Sequence, residues 1–454
     1  MATITYKFLH FANLKDIPNW SVQYAYEEDL GFTKKFPMAR IGSFLVKSRD
    51  IVEVQDDVEY KQVTLKINNG GVVPRNNGAT LKGSKIGTKR QHVIHAGQFI
   101  MSKIDARNGA YGIVSAELDG AIVTNDFPVF DVDTEKIIPQ FLVLVSTTNK
   151  FVEFARKCSS GTTNRKRIDI DAFLCQQIPL PSLNEQKKIV DEYNDKVNKA
   201  ETALKEMQSI PNRLAIYMQD NLCIKDNHSQ TEKSGLLMFV QLTKLAEWGI
   251  DFNKEEKNKI SSDYPIYKLK SLCKVGSGGT PSRTTKKYYN GNIPWIKTGE
   301  VLNNVILDTE EKITQEAIDN SSAKLYPKGS LIMAMYGQGE TRGRTAKLGI
   351  DATTNQACAV MYDINHLLVL TDYLWYYLQF RYDDIRSMAS GNNQPNLNAE
   401  KIKNYDIVVP PIQKQKLLVD YIKLLKDKQE QLKALSTELI TTANKEFEKR
   451  IFAK

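Results

Sequence analysis

Apolar residues recur at seven-residue intervals in two separate stretches of the chain, with mostly polar residues between them. The first stretch runs from Asn184 to Ile210, and the second follows Pro410. A seven-residue repeat places apolar side chains along one side of an α-helix, so each stretch is predicted to be a long helix with a buried seam. In the first stretch the seam positions are Val190, Val197 and Leu204, with a companion row of Tyr193, Ala200 and Met207. In the second stretch they are Leu418, Leu425, Leu432 and Leu439. Two seams favour a coiled-coil pair; the alternative is that each helix lies on its own domain.

Both helical stretches follow a similar proline-containing junction. Pro181 and Gln186 in the first copy match Pro410 and Gln415 in the second, and both pairs are separated by the same interval, about half of the chain. Further pairs at nearly the same interval are Trp20 and Trp248, Asn125 and Asn355, and Ser160 and Ser390. Matches that keep one order along the chain predict an internal duplication, and a duplication sets the architecture in which local motifs must be interpreted.

Ahead of each long helix the pattern changes to short apolar runs separated by turn residues, which is typical of β-strands. In the first half these runs are Gln62–Ile67, Phe99–Ile104, Ala121–Thr124 and Phe127–Phe130. Longer apolar runs, Gln140–Lys157 and Asp372–Met388, predict helix near the end of each half. The predicted fold class is α+β, with two duplicated domains of mixed α/β character joined by two long antiparallel helices and related by a pseudo-twofold axis.

The repeat also predicts the domain boundaries. A segment at residues 1–36 is expected to pack on a first domain at 37–181, with Trp20 as an anchor, and its repeat at 230–264 precedes a second domain at 265–410. The long helices occupy 182–229 and 411–454 and are expected to hold the domains at opposite ends of a spacer. A helix from Asn184 to Ile210 would span roughly 40 Å, close to one turn of DNA at about 34 Å.

Charge and composition narrow the function classes. The chain has 454 residues, a mass of 51.5 kDa, a formal net charge of +9 and a pI near 9.0. From Pro74 to Arg107 there are seven Lys or Arg residues and a single acid, and the stretch from Lys268 to Glu300 has the same composition. A basic cluster repeated in both halves is what a duplicated phosphate-binding surface would look like.

Other classes of protein fit the sequence poorly. The five cysteines lie far apart with no CxxC pair, which argues against a disulfide framework and against a zinc site. No long apolar run or signal-peptide pattern occurs, so neither a membrane span nor secretion is expected, and a reducing cytoplasm fits best.

Motifs for catalysis are also weak. The Pro410-Pro411 pair lacks the polar and aromatic neighbours of an adenine methyltransferase box, and the glycines from Gly337 to Gly343 miss the GxGxxG spacing. His92 and His95 are expected to be structural, because their spacing on a strand points the two rings to opposite faces.

Several motifs in one order resemble the specificity subunits of Type I restriction-modification systems. In the second half they are Val275–Ser282, Tyr288–Trp295, Asn355–Ala357 and Pro410–Gln415; in the first half they are Ala96–Ala106, Ser159–Arg165 and Leu180–Gln186. The resemblance covers nearly the whole chain. The first half departs from it, because the sequence Gly278-Gly279-Thr280-Pro281 has no equivalent near Asp50.

The resemblance implies a non-catalytic subunit with two target-recognition domains, each of which reads one half of a bipartite double-stranded DNA site. It further implies that the long helices and adjoining surfaces dock two methyltransferase subunits, and that restriction/translocase subunits can join the complex. No cofactor and no metal would be bound by this chain directly, since S-adenosylmethionine belongs to the methyltransferase partners.

DNA binding requires Lys and Arg for phosphates, and Arg, Asn, Gln or Ser for base edges. Three loop clusters in each half supply them. The candidate DNA-binding residues are Arg75, Asn76, Lys82, Lys85, Lys89, Arg90, Lys103, Arg107, Tyr111, Arg165, Lys166 and Arg167 in the first half, and Ser277, Thr280, Arg283, Lys286, Lys287, Tyr288, Lys297, Tyr336, Gln338, Arg342, Arg344, Asn393 and Gln394 in the second. Substitution of Arg165 or Arg283 by alanine is expected to weaken binding and flatten its salt dependence.

Two other functions remain open on the sequence. One is a DNA-binding scaffold or regulator outside restriction, which would not copurify with methyltransferase subunits. The other is a self-contained DNA methyltransferase or nuclease, which would turn over without partners. Each single side chain of the three clusters could also be a solvated surface residue.

Overall fold

The computed structural model describes residues 35–67, 70–157, 159–160, 167–226, 260–337, 339–389 and 396–452. The chain divides into two compact units. Unit 1 comprises Met1–Ala203 together with Ala434–Lys454, and unit 2 comprises Leu204–Lys433. Nearly all of the expected segments at 1–36 and 230–264, including Trp20 and Trp248, lie outside the described residues.

Both units combine helices with mostly antiparallel strands, so the α+β prediction is confirmed. The helices are α1 Pro139–Ser146, α2 Asn149–Lys157, α3 Ile170–Cys175, α4 Leu183–Asn221, α5 Leu269–Leu272, α6 Gln315–Asp319, α7 Thr371–Phe380, α8 Tyr382–Ser387, α9 Ala399–Lys403 and α10 Ile412–Phe452.

The strands of unit 1 are β1 Met38–Arg40, β2 Leu45–Lys47, β3 Ile51–Glu53, β4 Glu59–Tyr60, β5 Val63–Leu65, β6 Val72–Pro74, β7 Leu81–Lys82, β8 Arg90–Val93, β9 Phe99–Met101, β10 Tyr111–Ile113, β11 Ile122–Val123, β12 Val129–Val132, β13 Ser159–Ser160, β14 Arg167–Ile168 and β15 Gln177–Pro179. Those of unit 2 are β16 Lys225–Asp226, β17 Ile260–Ser261, β18 Ile266–Lys268, β19 Lys274–Ser277, β20 Tyr289–Ile296, β21 Val305–Ile306, β22 Glu311–Ile313, β23 Leu331–Ala334, β24 Thr345–Leu348, β25 Thr353–Thr354, β26 Cys358–Tyr362 and β27 Asp406–Val408.

The main sheets of the two units share one strand order. In unit 1 the order is β10-β9-β12-β2, and in unit 2 it is β24-β23-β26-β19, with β21 added beside β24. Each unit also pairs an early strand with the strand that directly precedes a long helix, β1 with β15 and β18 with β27. Equivalent strands therefore occupy equivalent places, which is the structural form of the repeat in the sequence.

A second, smaller sheet distinguishes the units. In unit 1 its order is β11-β8-β3 and every pairing is antiparallel. In unit 2 its order is β22-β20-β25, and β20 runs parallel to β25. The difference falls in the region where the first half lacks the Gly278–Pro281 sequence.

The repeated glutamine holds the same position in both units. Gln186 is fully buried; its Oε1 accepts from the Ile138 backbone N–H (2.8 Å), and its Nε2 donates to the carbonyls of Lys136 (2.9 Å) and Pro181 (2.8 Å). Gln415 is also fully buried and bonds the Leu370 N–H (2.8 Å) and the carbonyls of Leu368 (2.9 Å) and Pro410 (2.8 Å). Each amide thus joins the start of a long helix to the residues that lead into α1 or α7.

The helical runs near the end of each half contain two helices rather than one. In unit 1 the break lies between α1 and α2, where the Thr148 hydroxyl donates to the Val145 carbonyl (2.7 Å) and accepts from the Phe151 N–H (3.3 Å). A side-chain hydroxyl that satisfies backbone groups at both helix ends stabilises the break. In unit 2 the break between α7 and α8 lies at Arg381.

The first long helix extends beyond Ile210, where its predicted apolar repeat ends. Helix α4 continues through Pro211 to Asn221, although a proline inside a helix removes one backbone hydrogen bond and usually ends or kinks it. Ile210 is fully buried before the proline, and Met218 and Leu222 are buried after it. Burial of these apolar side chains offsets the missing hydrogen bond. Among the described residues, no helix has the length and apolar character needed to cross a bilayer.

Helices α4 and α10 run antiparallel within each unit. In unit 1, Glu192 pairs with Arg450 (3.0 Å) and Lys196 with Glu446 (2.8 Å). In unit 2, the rings of Tyr217 and Tyr421 lie 4.0 Å apart between centroids. Residue numbers rise along one helix as they fall along the other, which confirms the predicted antiparallel pairing.

The predicted seam of α4 is correct at its start and wrong at Leu204. Val190 and Ala200 are buried, but Leu204 is 37% exposed while Ala203 is buried. Ile189, Ala203 and Ile210 are all buried and are spaced at multiples of seven residues, so the buried row lies one residue before the row that contains Leu204. On α10, Leu418 and Leu425 are buried and the later leucines are half-buried.

Candidate nucleic-acid interface

Two of the three candidate clusters of unit 1 meet at one place. The cluster from Lys103 to Tyr111 follows β9, and the cluster at 165–167 leads into β14. The Ile168 N–H donates to the Lys103 carbonyl at 2.8 Å, and the Arg167 guanidinium lies 3.1 Å from the Asp126 carboxylate. Arg165 and Lys166 lie outside the described residues. A backbone hydrogen bond therefore joins loops that are about 60 residues apart in the chain, an arrangement that forms a composite binding surface from short segments.

A similar backbone hydrogen bond occurs in unit 2. The cluster from Tyr336 to Arg344 follows β23, which occupies the place of β9, and the Leu397 N–H donates to the Met335 carbonyl at 3.1 Å. Gln338, Asn393 and Gln394 lie outside the described residues. In both units, the end of the equivalent strand thus bonds the segment that follows another candidate cluster in the sequence.

The glycine-rich part of this loop connects two antiparallel strands. Gly337, Gly339 and Gly343 have φ values of +141°, +61° and +87°, which favour glycine, and the loop joins β23 to β24. A dinucleotide-binding fingerprint requires a strand followed by a helix. The loop is instead braced by α8, because the Tyr382 hydroxyl donates to the Glu340 carbonyl at 2.7 Å.

The remaining cluster of unit 1 spans the stretch from Arg75 to Arg90. Lys89 pairs with Asp56 and donates to the Gly83 carbonyl at 2.7 Å. Five further candidate cations of this unit form no ion pair within the described part of the chain. They are Arg75, Lys82, Lys85, Arg90 and Lys103. Of these five, Lys103 is half-buried and the rest are exposed. Unpaired cations can bind phosphate without first leaving a carboxylate.

Tyr111 lies in the core and is wrong as a DNA-binding candidate. Its side chain is only 3% exposed, stacks on Phe99 with ring centroids 6.2 Å apart, and meets the edge of Phe151 at 5.6 Å. It lies on β10, whose inward positions fill the core of unit 1. A tyrosine in a polar stretch suggested surface exposure, but the strand turns this ring inward.

Most candidate cations of unit 2 already have acidic partners. The Arg283 guanidinium donates to both oxygens of Glu311, at 2.6 and 3.3 Å. Lys297 lies between Glu310 (2.8 Å) and Glu311 (3.2 Å). Lys287 pairs with Glu316, and Arg344 with Glu340. These hydrogen bonds raise the pKa values of Arg283, Lys287 and Lys297.

Arg283 is held by aromatic rings as well. Its guanidinium carbon lies 4.5 Å from the ring centroid of Tyr289 and 5.0 Å from that of Trp295. These contacts of a planar guanidinium with two aromatic faces and a bidentate carboxylate fix the position of the Arg283 side chain. The other candidates in this part of unit 2 are Ser277 and Lys286, which are exposed, and Thr280 and Tyr288, which are half-buried. Of the candidate cations described there, Lys286 has no acidic partner.

The motif Gly278-Gly279-Thr280-Pro281 has a packing role. A Cβ atom on Gly278 would lie 2.0 Å from the Thr354 carbonyl oxygen, and one on Gly279 would lie 2.4 Å from the Ala323 nitrogen. The indole N–H of Trp295 donates to the Gly279 carbonyl at 3.0 Å. Only glycine allows so close an approach of two backbones, so the two glycines of this motif pack it against Thr354 and Ala323.

The two histidines have separate environments. His92 is buried on β8. His95 is exposed and lies 2.8 Å from the Asp50 carboxylate through Nε2 and 3.4 Å from Asp119 through Nδ1, and the hydrogen bond with Asp50 raises its pKa. Among the described residues, no group of three or more His, Cys, Asp or Glu side chains could hold a metal ion.

The sequence did not reveal the acids that engage the cations of unit 2. Glu310 and Glu311 form a visible acidic pair, but their distance in sequence from Arg283 hides the contact. Asn77 was also not among the candidates, although its neighbour Asn76 was. The consecutive Asn76, Asn77 and Gly78 were the available signal, because asparagine and glycine together favour left-handed backbone.

Comparisons with known proteins agree on one family. The family model described as "Type I restriction modification DNA specificity domain" matches residues 41–209 and again 261–441. The MjaIX specificity subunit of Methanocaldococcus jannaschii is 27% identical over 204 residues, which cover 42% of this chain and 46% of that protein. The EcoR124I/EcoR124II specificity subunit of Escherichia coli is 29% identical over 160 residues, which cover 34% and 39%. In these two alignments the chain spans less than half of the relative's length.

A further relative and one solved structure extend the comparison. The HindI specificity subunit of Haemophilus influenzae is 20% identical over 364 residues, which cover 70% of this chain and 77% of that protein. A chain from a structural study of complex assembly and conformational transition of the type I R-M system superposes with a TM-score of 0.59 at 16% identity, covering 92% of this chain and 98% of the other. Because the family model matches well over half of the residues, in two copies, this chain belongs to the family of Type I restriction-modification DNA specificity domains.

Proposed function

We propose that the chain is the DNA-specificity subunit of a Type I restriction-modification complex, and that each unit reads one part of a divided double-stranded DNA target. The observation that carries the proposal is a backbone hydrogen bond that recurs at the equivalent strand of each unit, from Ile168 to Lys103 in unit 1 and from Leu397 to Met335 in unit 2. In the sequence, each bond lies next to two of the polar candidate clusters. Two equivalent surfaces on one chain suit a target with two specified parts.

The partners follow from the family. Methyltransferase subunits, two per chain, would dock on the long helices and adjoining surfaces, and restriction/translocase subunits would join the complex. The chain itself would bind no cofactor and carry out no catalysis, and it would act in the cytoplasm. S-adenosylmethionine would be used by the methyltransferase partners.

The test is selection of bound DNA by the assembled complex. The chain is purified with the methyltransferase subunits of its host, incubated with random duplexes, and the retained DNA is sequenced. Two blocks of specified bases separated by a stretch without preference are expected, and duplexes with one block should bind far more weakly, since the second contact is intramolecular once the first has formed. A single block, or no preference, would contradict the proposal.

Partner dependence is measured in the same preparation. The complex should transfer labelled methyl groups from S-adenosylmethionine to DNA that carries both blocks, whereas the chain alone should transfer none. Transfer by the chain alone would favour a self-contained methyltransferase. Failure to copurify with methyltransferase subunits would favour a scaffold or regulator outside restriction.

A further inference from the structure

A six-residue loop projects from the return strand of a β-ribbon in unit 1. Strand β4 pairs with β7 and strand β5 pairs with β6. Only residues 61–62 lie between β4 and β5, whereas residues 75–80 lie between β6 and β7. The sequence of this 75–80 loop is Arg-Asn-Asn-Gly-Ala-Thr, and all six residues are exposed.

The ribbon that carries the 75–80 loop is anchored on both sides. On the side of β5 and β6, Val63 and Leu65 are buried, and Val72 packs against the same apolar cluster. On the side of β4 and β7, Tyr60 and Leu81 pack against a different cluster. A loop with both ends fixed to core strands holds its side chains in a defined direction, which a recognition element requires.

Hydrogen bonds also close the loop. The Arg75 N–H donates to the Gln62 carbonyl at 2.8 Å, the Gly78 N–H to the Arg75 carbonyl at 3.0 Å, and the Ala79 N–H to the Asn76 carbonyl at 3.1 Å. The Thr80 hydroxyl donates to the Glu59 carboxylate at 2.6 Å. The backbone of the loop is therefore largely satisfied within the ribbon.

The backbone conformation of the loop is unusual. Asn76, Asn77 and Gly78 have φ values of +52°, +54° and +86°, so three consecutive residues are left-handed. Side chains other than asparagine and glycine seldom adopt this conformation, and residues held there are concentrated at functional sites. Within the described part of the chain, the side-chain amides of Asn76 and Asn77 make no hydrogen bond, and Arg75 forms no ion pair.

We propose that the 75–80 loop reads bases, with Arg75, Asn76 and Asn77 contacting base edges in the major groove of the half-site bound by unit 1. Arginine pairs in a bidentate manner with guanine O6 and N7, and asparagine with adenine N6 and N7. A purely electrostatic phosphate surface would need no adjacent asparagine amides. Lys82 lies on β7, the strand that follows the loop, and Lys85 lies just after that strand. These two lysines supply the neighbouring phosphate contacts. This inference rests on the proposed function.

The experiment compares selected DNA sequences for the assembled complex and its variants. Asn77→Gly removes the amide but retains a residue that accepts left-handed backbone, and Arg75→Lys retains the charge but removes the bidentate donor pair. Each variant should lose preference at one base pair, by about 5- to 150-fold, within the same block of the target. The other block should be unchanged.

A matched control lies in unit 2. Asn290 is also exposed and left-handed, with φ of +60°. Asn290→Gly should leave unchanged the block that Asn77→Gly alters. Asn77→Ala should alter that block as Asn77→Gly does but with a lower melting temperature, because alanine tolerates positive φ poorly.

The outcomes separate the two proposals. Unchanged base preferences in Asn77→Gly and Arg75→Lys, or uniform weakening on every sequence, would overturn the base-reading role while a divided wild-type target kept the proposed function. A wild-type complex that selected no sequence would overturn both.

Discussion

Gln186 and Gln415 occupy the same position in the two copies of the repeat and make the same kinds of hydrogen bond. Each amide is fully buried and uses both hydrogens and its oxygen on backbone groups. A buried polar group is tolerated only when its partners are present, so the side chain and the loop it bonds must be retained together. This explains why the same glutamine stands in both copies.

Gln415→Glu should therefore destabilise unit 2. A carboxylate can accept from the Leu370 N–H but cannot donate to the carbonyls of Leu368 and Pro410, and each unsatisfied carbonyl costs about 1–3 kcal/mol. The measurement is hydrogen exchange at the Leu370 amide together with urea unfolding. Gln413→Glu, on the exposed side of the same helical turn, is the control and should change stability by less than about 0.5 kcal/mol. Equal effects of the two substitutions would show that the buried network contributes nothing.

At the scale of elements, the buried row of α4 lies one residue before the row that the sequence predicts. The seven-residue repeat of α4 is followed at Val190 and abandoned by Leu204, where Ala203 takes the buried place. The small side chain of Ala203 suits a position with little space, and Ala200, one turn earlier, is fully buried too. Alanines at these two buried positions allow closer packing than a leucine at position 204 would.

Two substitutions test the corrected seam. Ala203→Leu should cost about 1–3 kcal/mol, because extra methylene groups in a packed site force strain. Leu204→Ala, at the neighbouring exposed position, should cost less than about 1 kcal/mol. Thermal unfolding of both variants is the measurement. A larger destabilisation by Leu204→Ala than by Ala203→Leu would restore the seam that the repeat predicts.

For the whole molecule, the basic stretches of the two halves have equal numbers of cations, but the structure pairs more of those in unit 2 with acidic side chains. Both halves have seven cations and one acid in their basic stretches. In unit 1, the candidates Lys82, Lys85 and Arg90 have no acidic partner among the described residues, whereas in unit 2, Arg283 and Lys297 share Glu311. Cations that are already neutralised release fewer counterions on binding DNA.

The salt dependence of DNA binding should reflect this inequality. The triple variant Lys82→Ala, Lys85→Ala, Arg90→Ala in the assembled complex should flatten the plot of log affinity against log salt by about 0.9 for each phosphate that is no longer neutralised. The matched triple variant Arg283→Ala, Lys287→Ala, Lys297→Ala removes the same charge and should flatten it less, while unit 2 becomes less stable to heat. Equal slopes for the two triple variants would contradict a phosphate-binding role concentrated in unit 1.

The sequence by itself determined the duplication, the fold class, the two long helices and the family. The hydrophobic period, the proline junctions and the motif order that indicate them are patterns along the chain and can be read without the structure. It located the polar clusters but could not say which would meet, since the bond from Ile168 to Lys103 depends on strand order. Only the tertiary structure decided that Tyr111 faces the core and that Arg283 is held by Glu311. Burial and ion pairing depend on residues distant in the chain, so no local pattern can encode them.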